Sequence, residues 1–285
     1  MCKKGGKTKL NGNRSVLGED GFVVQCVGPW AKDKHDYLER YVEATAGPRS
    51  KYLSNQGGRP AGGAAFVDLF AGPGMARVRT SGEIISGSPL IAVRHARAPF
   101  TQIVLCDKEP ENADALRKRT AEYGTVHVLE GDCNQRIEDI LNLIPEYGLN
   151  IALLDPYGLR PLSFETISAL GRVKRMDLLI HFPTMDIKRN LQNKSQLQYI
   201  DQFLGTKDWR SRVKSSGDVV KLIDVLREQL APVGYDQKAV RSLPVLNRNK
   251  NVLYHLIYAS KHVKGNAIWE SIAKTTATGQ QSFSI

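Results

Sequence analysis

Five short apolar runs, Ala65 to Phe70, Gln102 to Cys106, Val126 to Leu129, Ile151 to Leu154 and Asp177 to Phe182, alternate with segments of helical spacing. That alternation leaves few architectures open. Strands separated by helices pair in parallel through right-handed crossovers, and a parallel sheet needs cover on both faces. The intervening stretches agree: Pro110 suits the first turn of a helix running to Glu122, and Ile137, Ile140, Leu141 and Ile144 form one apolar stripe. Ahead of the first run, Tyr37, Leu38, Tyr41 and Val42 predict an amphipathic helix over Lys34 to Ala44, ended by Gly47-Pro48. At the other end, Ala239 to Leu246 and Val252 to Ser260 flank the turn-forming Asn247 to Asn251 and predict a hairpin. The expected fold is α/β and doubly wound, a mostly parallel sheet closed by a C-terminal antiparallel hairpin.

Domain organisation follows from where this rhythm fails. Residues 1–28 are rich in Gly, Lys and Asn without periodicity and read as a flexible basic tail; 29–63 form a helical segment that ends in the glycine-rich loop Gly57 to Gly63. The core domain spans 64–285, with a helical insertion at about 186–236. Forty Lys plus Arg against 29 Asp plus Glu give a formal charge of +11, which suits an anionic partner such as nucleic acid or simply a soluble basic protein. The insertion concentrates the question. Lys207, Arg210, Arg212 and Lys214 around Trp209 either bind phosphates or make a solvated helix face over a core tryptophan.

Cys2, Cys26, Cys106 and Cys133 lack paired CxxC spacing, which argues against a zinc site or disulfide framework and predicts reduced thiols. The six histidines show no metal-ligand spacing, so no metal is expected, and His181 reads as a core or strand-end residue. No run has the length of a membrane helix, and Met1 to Leu10 lacks the apolar segment of a signal peptide, so a cytoplasmic location is expected.

Open α/β sheets bind ligands beyond the carboxyl ends of their strands. Val67 to Gly74 is a strand running into a glycine turn at Phe70, Ala71, Gly72 and Gly74, where missing side chains let backbone approach a ligand. Asp68 can fix that loop or accept from a cofactor ammonium, and Asp107, ending the second strand, can take both ribose hydroxyls. A dinucleotide would use a similar acid, but the turn lacks a third glycine in phase. Ala76 to Gly87 intervenes before Ser88-Pro89 supplies the N-cap and first-turn proline of a helix over Leu90 to Ala98. Asp132 receives an adenine amino group, with Cys133 against the ring, or else Asp132 or Asn134 caps the helix that carries Ile137. Three acids at consecutive strand ends predict S-adenosylmethionine as cofactor.

The fourth strand ends in Asp155-Pro156-Tyr157-Gly158. Asp155 can accept from an exocyclic amine, Tyr157 can stack on a planar base, and Pro156 can hold the turn that aims both. Methyl transfer needs mainly such alignment. The same tetrad is also good turn chemistry. No Pro-Cys dipeptide occurs, which argues against a cysteine nucleophile.

Taken together with Trp30, Lys34, Tyr37 and Leu38, with Gly87-Ser88-Pro89-Leu90, and with Ala259-Ser260-Lys261-His262 followed by Ile268-Trp269, these motifs make residues 30–273 resemble the three-Cys-motif partner family. The resemblance implies a Rossmann-like class I methyltransferase fold that binds S-adenosylmethionine, and a neighbouring three-cysteine protein as partner. Family members do not carry the three-cysteine motif themselves. More remotely, the tetrad is similar to that of tRNA guanosine N2-dimethyltransferases, which implies nucleic acid as partner and a base amine as acceptor. Adenine and cytosine amino methyltransferases more often place two prolines before the aromatic. An accessory subunit of the three-cysteine partner, or a methyltransferase for a protein or small molecule, are the alternatives.

Overall fold

The computed structural model describes residues 9–10, 13–55, 61–94, 97–247 and 249–275. Most of the lysine-rich start, including Cys2, and Gly57 to Pro60 of the expected loop lie outside them. The strands are β1 (Lys9–Leu10), β2 (Asn13–Leu17), β3 (Val23–Val27), β4 (Ala65–Asp68), β5 (Met75–Val78) and β6 (Ile84–Ser86). Then follow β7 (Gln102–Asp107), β8 (Val126–Glu130), β9 (Asn150–Leu154), β10 (Met176–Phe182), β11 (Arg241–Leu246) and β12 (Val252–Ala259). The helices are α1 (Trp30–Ala44), α2 (Ala46–Leu53), α3 (Ser88–Val93), α4 (Pro110–Arg119), α5 (Ile137–Asn142) and α6 (Phe164–Arg172). The insertion supplies α7 (Thr184–Asn190), α8 (Leu197–Leu204), α9 (Trp209–Arg212) and α10 (Lys221–Leu230), and α11 (Val263–Ala273) follows the hairpin.

The central sheet has the order β11-β12-β10-β9-β4-β7-β8. Its five central and outer strands β8, β7, β4, β9 and β10 run parallel, while β12 lies antiparallel between β10 and β11. The first of these strands sits in the middle, and the chain winds outward first one way and then the other, so β4 and β9 flank a topological switch point. This order, with a reversed strand one place inside the edge, is the topology of class I methyltransferases.

Burial explains why the apolar runs are continuous. Every residue of β4 and of β9 is buried, as a sheet covered on both faces requires. Alternation along the strands divides the core: Val67, Val104, Ala152 and Ile180 face α5, α6, α8 and α10, whereas Phe66, Leu105, Leu153 and Leu179 face α1, α3, α4 and α11.

Several expectations need correction. Residues 13–27 form a β-hairpin, not a tail; β3 pairs in parallel with β5 in a second sheet of order β1-β2-β3-β5-β6. Val24 and Cys26 point inward, a period-two signal inside Val23 to Val27 that the polar surroundings obscure. α1 ends at Ala44 as expected, but Gly47-Pro48 belongs to a second helix, with Pro48 in the first turn of α2, where a missing amide is tolerated. Ser88 is the first residue of α3, and Gly87 takes the cap position. Cys26 is disulfide-bonded, which corrects the expectation of reduced thiols for that residue, whereas Cys106 and Cys133 are free thiols. No helix of the described residues is long and apolar enough to cross a membrane.

Candidate active site

The glycine turn after β4 is locked to its neighbour. Ala71 N–H donates to the Cys106 carbonyl at 2.9 Å, and Gly72 N–H donates to Asp107 Oδ2 at 2.7 Å. Gly72 and Gly74 adopt φ of +61° and +83°, a region that side chains disfavour. Their uses differ. Gly74 lines the groove above the switch point, while Gly72 is not among the lining residues and serves the turn.

Asp107 Oδ1 accepts from Glu109 N–H at 2.9 Å and Asn112 Nδ2 at 3.1 Å. Burial pushes its carboxyl up, against these donors and Gly72 N–H. A carboxylate offers about four acceptor positions, so three internal donors leave roughly one for a ligand hydroxyl, not the two expected. Asp107 borders a cavity of about 450 Å³, whose lining also includes Leu69, Phe70, Asp132, Cys133 and Tyr157. Asp132 is not the cap of α5, a position held by Arg136. Its Oδ1 instead takes the Asn134 N–H and Nδ2, both at 2.8 Å, and its Oδ2 has no hydrogen bond among the described residues. Asn134 continues to the Pro161 carbonyl and to Thr166, which ties the loop after β8 to α6. Burial holds the Cys133 thiol far above its ordinary range, so the residue is an inert wall.

Asp68 is 1% exposed and lies behind the turn, outside the groove lining. Its Oδ1 accepts Phe70 N–H at 3.1 Å, which makes it a loop anchor and not a direct ammonium acceptor. Burial pushes its carboxyl up to about 7, opposed by the Ser88 hydroxyl and the Phe70 amide.

At the end of β9, Asp155 is already engaged. Its Oδ2 pairs with Lys34 Nζ from α1, and its Oδ1 accepts His181 Nδ1–H from β10 at 2.7 Å. Burial alone would raise this carboxyl, but Lys34 and His181 hold it well below the usual carboxylate range. Each Asp155 oxygen therefore already holds one internal partner, which leaves about two of the four acceptor positions of the carboxylate for an amine. Of the two readings of His181, strand end or core, the structure shows the first: it is the penultimate residue of β10 and only half-buried. It stacks on Tyr254 with ring centroids 4.2 Å apart and lines a second cavity of about 470 Å³ with Lys34, Gly74, Asp155 and Tyr254. Phe70, Tyr157 and Asp186 line both cavities, so the two form one groove across the switch point. Tyr157, at the junction, is 60% exposed. Pro156 accepts Gly158 N–H at 2.9 Å, and Gly158 has φ +99° with Asp186 where a Cβ would go.

Sequence reasoning missed the roles of Lys34, His181 and Tyr254. One signal was accessible: Ile180 pairs with Leu154 in parallel register, which sets His181 level with Asp155. Of the two readings of the basic insertion, the structure shows the core tryptophan under a solvated face. Trp209 is 2% exposed and donates from Nε1 to Asp201 Oδ1 at 2.9 Å; Arg210 pairs with Asp201 and Arg212 with Glu228, each at 2.6 Å. Helix packing buries the ring, and acids from α8 and α10 compensate both arginines. Only Lys207 and Lys214 remain as exposed cations of that set without an ion pair among the described residues.

No family model matches this chain, and no curated protein does. Among solved structures it is similar to protein LPL1258 from Legionella pneumophila, at 12% identity and a TM-score of 0.51 over 88% of this chain and 96% of that one. Looser likenesses are Trm1 from Pyrococcus horikoshii in complex with S-adenosyl-L-methionine (12%, TM-score 0.44, 85% and 58% covered) and TYW2 from M. jannaschii in complex with AdoMet (11%, 0.41, 87% and 84%). At such identity the likeness to LPL1258 is one of fold alone. Strand order and a groove at the switch point place the chain in the Rossmann-like class with methyltransferase topology.

Proposed function

We propose that this chain is an S-adenosylmethionine-dependent methyltransferase acting on an exocyclic amine of a nucleic-acid base. One observation carries the reading: an acid-lined cavity of about 450 Å³ adjoins, at Phe70, Tyr157 and Asp186, a second cavity that holds an exposed aromatic ring and an Asp–His pair. A volume of about 450 Å³ lies in the range of small-ligand sites, and the open positions on Asp107 and Asp132 suit a ribose hydroxyl and an adenine amino group. Phe70, Ala71 and Gly74 would hold the rest of the cofactor, which supplies an already activated methyl group.

The chain's own residues have separate tasks. Tyr157 offers its face to a planar acceptor. Asp155 fixes the His181 tautomer with Nδ1 protonated, which leaves Nε2 as the basic nitrogen for the amine proton. Lys34 keeps Asp155 ionised and in place. The overall charge and the resemblance of the tetrad to base-amine methyltransferases favour nucleic acid over protein.

The test is incubation with methyl-labelled cofactor and separate pools of DNA, tRNA, other RNA and protein, beside calorimetry on wild type and Asp107→Ala. Label should enter a nucleic-acid pool, and the substitution should weaken cofactor binding several-fold, as loss of a charge-assisted hydrogen bond of ~1.5 to 3 kcal/mol requires. A folded chain that binds no cofactor refutes the reading. Label in protein alone moves the acceptor class, and bound cofactor without transfer to any pool turns the assignment to an accessory subunit of a three-cysteine partner.

A further inference from the structure

A separate cavity of about 510 Å³ opens on the edge of the sheet opposite the groove. Its lining includes Leu149, just before β9, Asp177 at the start of β10, and Ser260, just after the antiparallel β12. Tyr41, Tyr52, Pro48 and Ile268 supply apolar wall. Around it converge Lys51, Lys174, Arg175, Lys261 and Lys264, while His262 accepts the Lys264 N–H at 3.1 Å as the cap of α11.

None of these five cations forms an ion pair among the described residues, although cations elsewhere on the chain find acids repeatedly. Arg175 and Lys261 are held by neutral groups instead, donating to the Tyr147 carbonyl at 3.1 Å and the Val173 carbonyl at 3.0 Å. Arg175 also lies over the Tyr52 ring at 5.5 Å, forming a flat polar and aromatic wall. Burial lowers the Lys261 ammonium, the direction expected where positive charge is incompletely solvated. Asp177, the one acid in the lining, is buried, accepts Tyr41 Oη at 2.6 Å, and has its carboxyl raised by burial. The first turn of α11 begins at this rim and adds the positive end of its dipole. Uncompensated cations around an apolar, partly aromatic cavity call for a ligand that is planar at one end and anionic at the other.

We propose that this cavity binds a phosphorylated nucleoside, with the base against the Tyr52 wall and the phosphate among Lys51, Lys174 and Lys264. The unit is either a free nucleotide or part of a longer strand. The site is independent of the groove and of the reaction proposed there.

Calorimetry on the full chain with AMP, adenosine, inorganic phosphate and a short oligonucleotide tests this. AMP should bind at least tenfold more tightly than adenosine or phosphate. The pair Lys174→Glu and Lys264→Glu, exposed positions that the fold tolerates, should weaken AMP at least tenfold and flatten its salt dependence. Asp107→Ala should leave AMP binding unchanged. An oligonucleotide that binds more tightly than AMP and responds to the same charge reversals assigns the site to a strand; AMP equal to or tighter than the oligonucleotide assigns it to a free nucleotide. The proposal is overturned if AMP does not bind, if phosphate or adenosine alone matches it, if charge reversal has no effect, or if Asp107→Ala abolishes the binding and so locates it in the groove.

Discussion

Asp68→Asn isolates the cost of burying a carboxyl beneath the glycine turn. The folded protein keeps the Asp68 proton up to about pH 7, whereas the unfolded carboxyl loses it near 3.8. Between those values the folded state binds more protons, so this residue's contribution to stability falls as pH rises and levels off above about 7. At 1.36 kcal/mol per pH unit the full penalty is roughly 4 kcal/mol, of which about 2 to 3 kcal/mol develops between pH 5 and pH 8. Asparagine preserves the acceptor for Phe70 N–H and carries no charge at any pH. Urea unfolding of both proteins from pH 5 to 8.5 should therefore show Asp68→Asn gaining on wild type across that window by about 2 to 3 kcal/mol, then running parallel. All other titrations are common to both chains and cancel in the difference. A stability difference that does not change with pH would refute the raised carboxyl and the desolvation argument behind it.

His181→Asn retains a donor toward Asp155 but removes Nε2; single-turnover methyl transfer should drop roughly 10²- to 10⁴-fold with cofactor affinity unchanged, and a parallel loss of affinity would mark a structural role instead. Gly158→Ala places a Cβ 2.7 Å from Asp186 Oδ2 at φ +99°, so denaturant unfolding should show a loss of about 1 to 3 kcal/mol. Wild-type stability in that variant would mean the tetrad turn relaxes freely.

How much of this was legible depended on the range over which each residue finds its partners. Four of the five parallel strands emerged because burial on both faces makes each of them a local apolar run, while half-buried β8 showed only the short run Val126 to Leu129, and the C-terminal hairpin emerged because its turn residues are adjacent. The strand Val23–Val27 pairs with Met75–Val78, about fifty residues on, and its short alternation carries little weight without that neighbour. Asp155 was legible as a position but not in its occupancy, since Lys34 lies 121 residues away in sequence. Trp209 stayed open between two readings for a related reason. The acids that compensate its neighbouring arginines sit 9 residues before Arg210 and 16 after Arg212, beyond the reach of a charge count.

The Lys34 contact also decides where the working unit begins. A boundary at residue 64 cuts a helix that packs on α3 and α11 away from the carboxylate it neutralises. A chain shortened to that boundary would keep every strand of the central sheet, yet its groove would carry an unbalanced anion beside the acceptor position and lose the contact that holds Asp155 toward His181. Cofactor recognition could survive such a truncation while proton removal failed. The first helix is in this sense the part that arms the site: any partner or modification that levered it outward would switch chemistry off without touching the cofactor side.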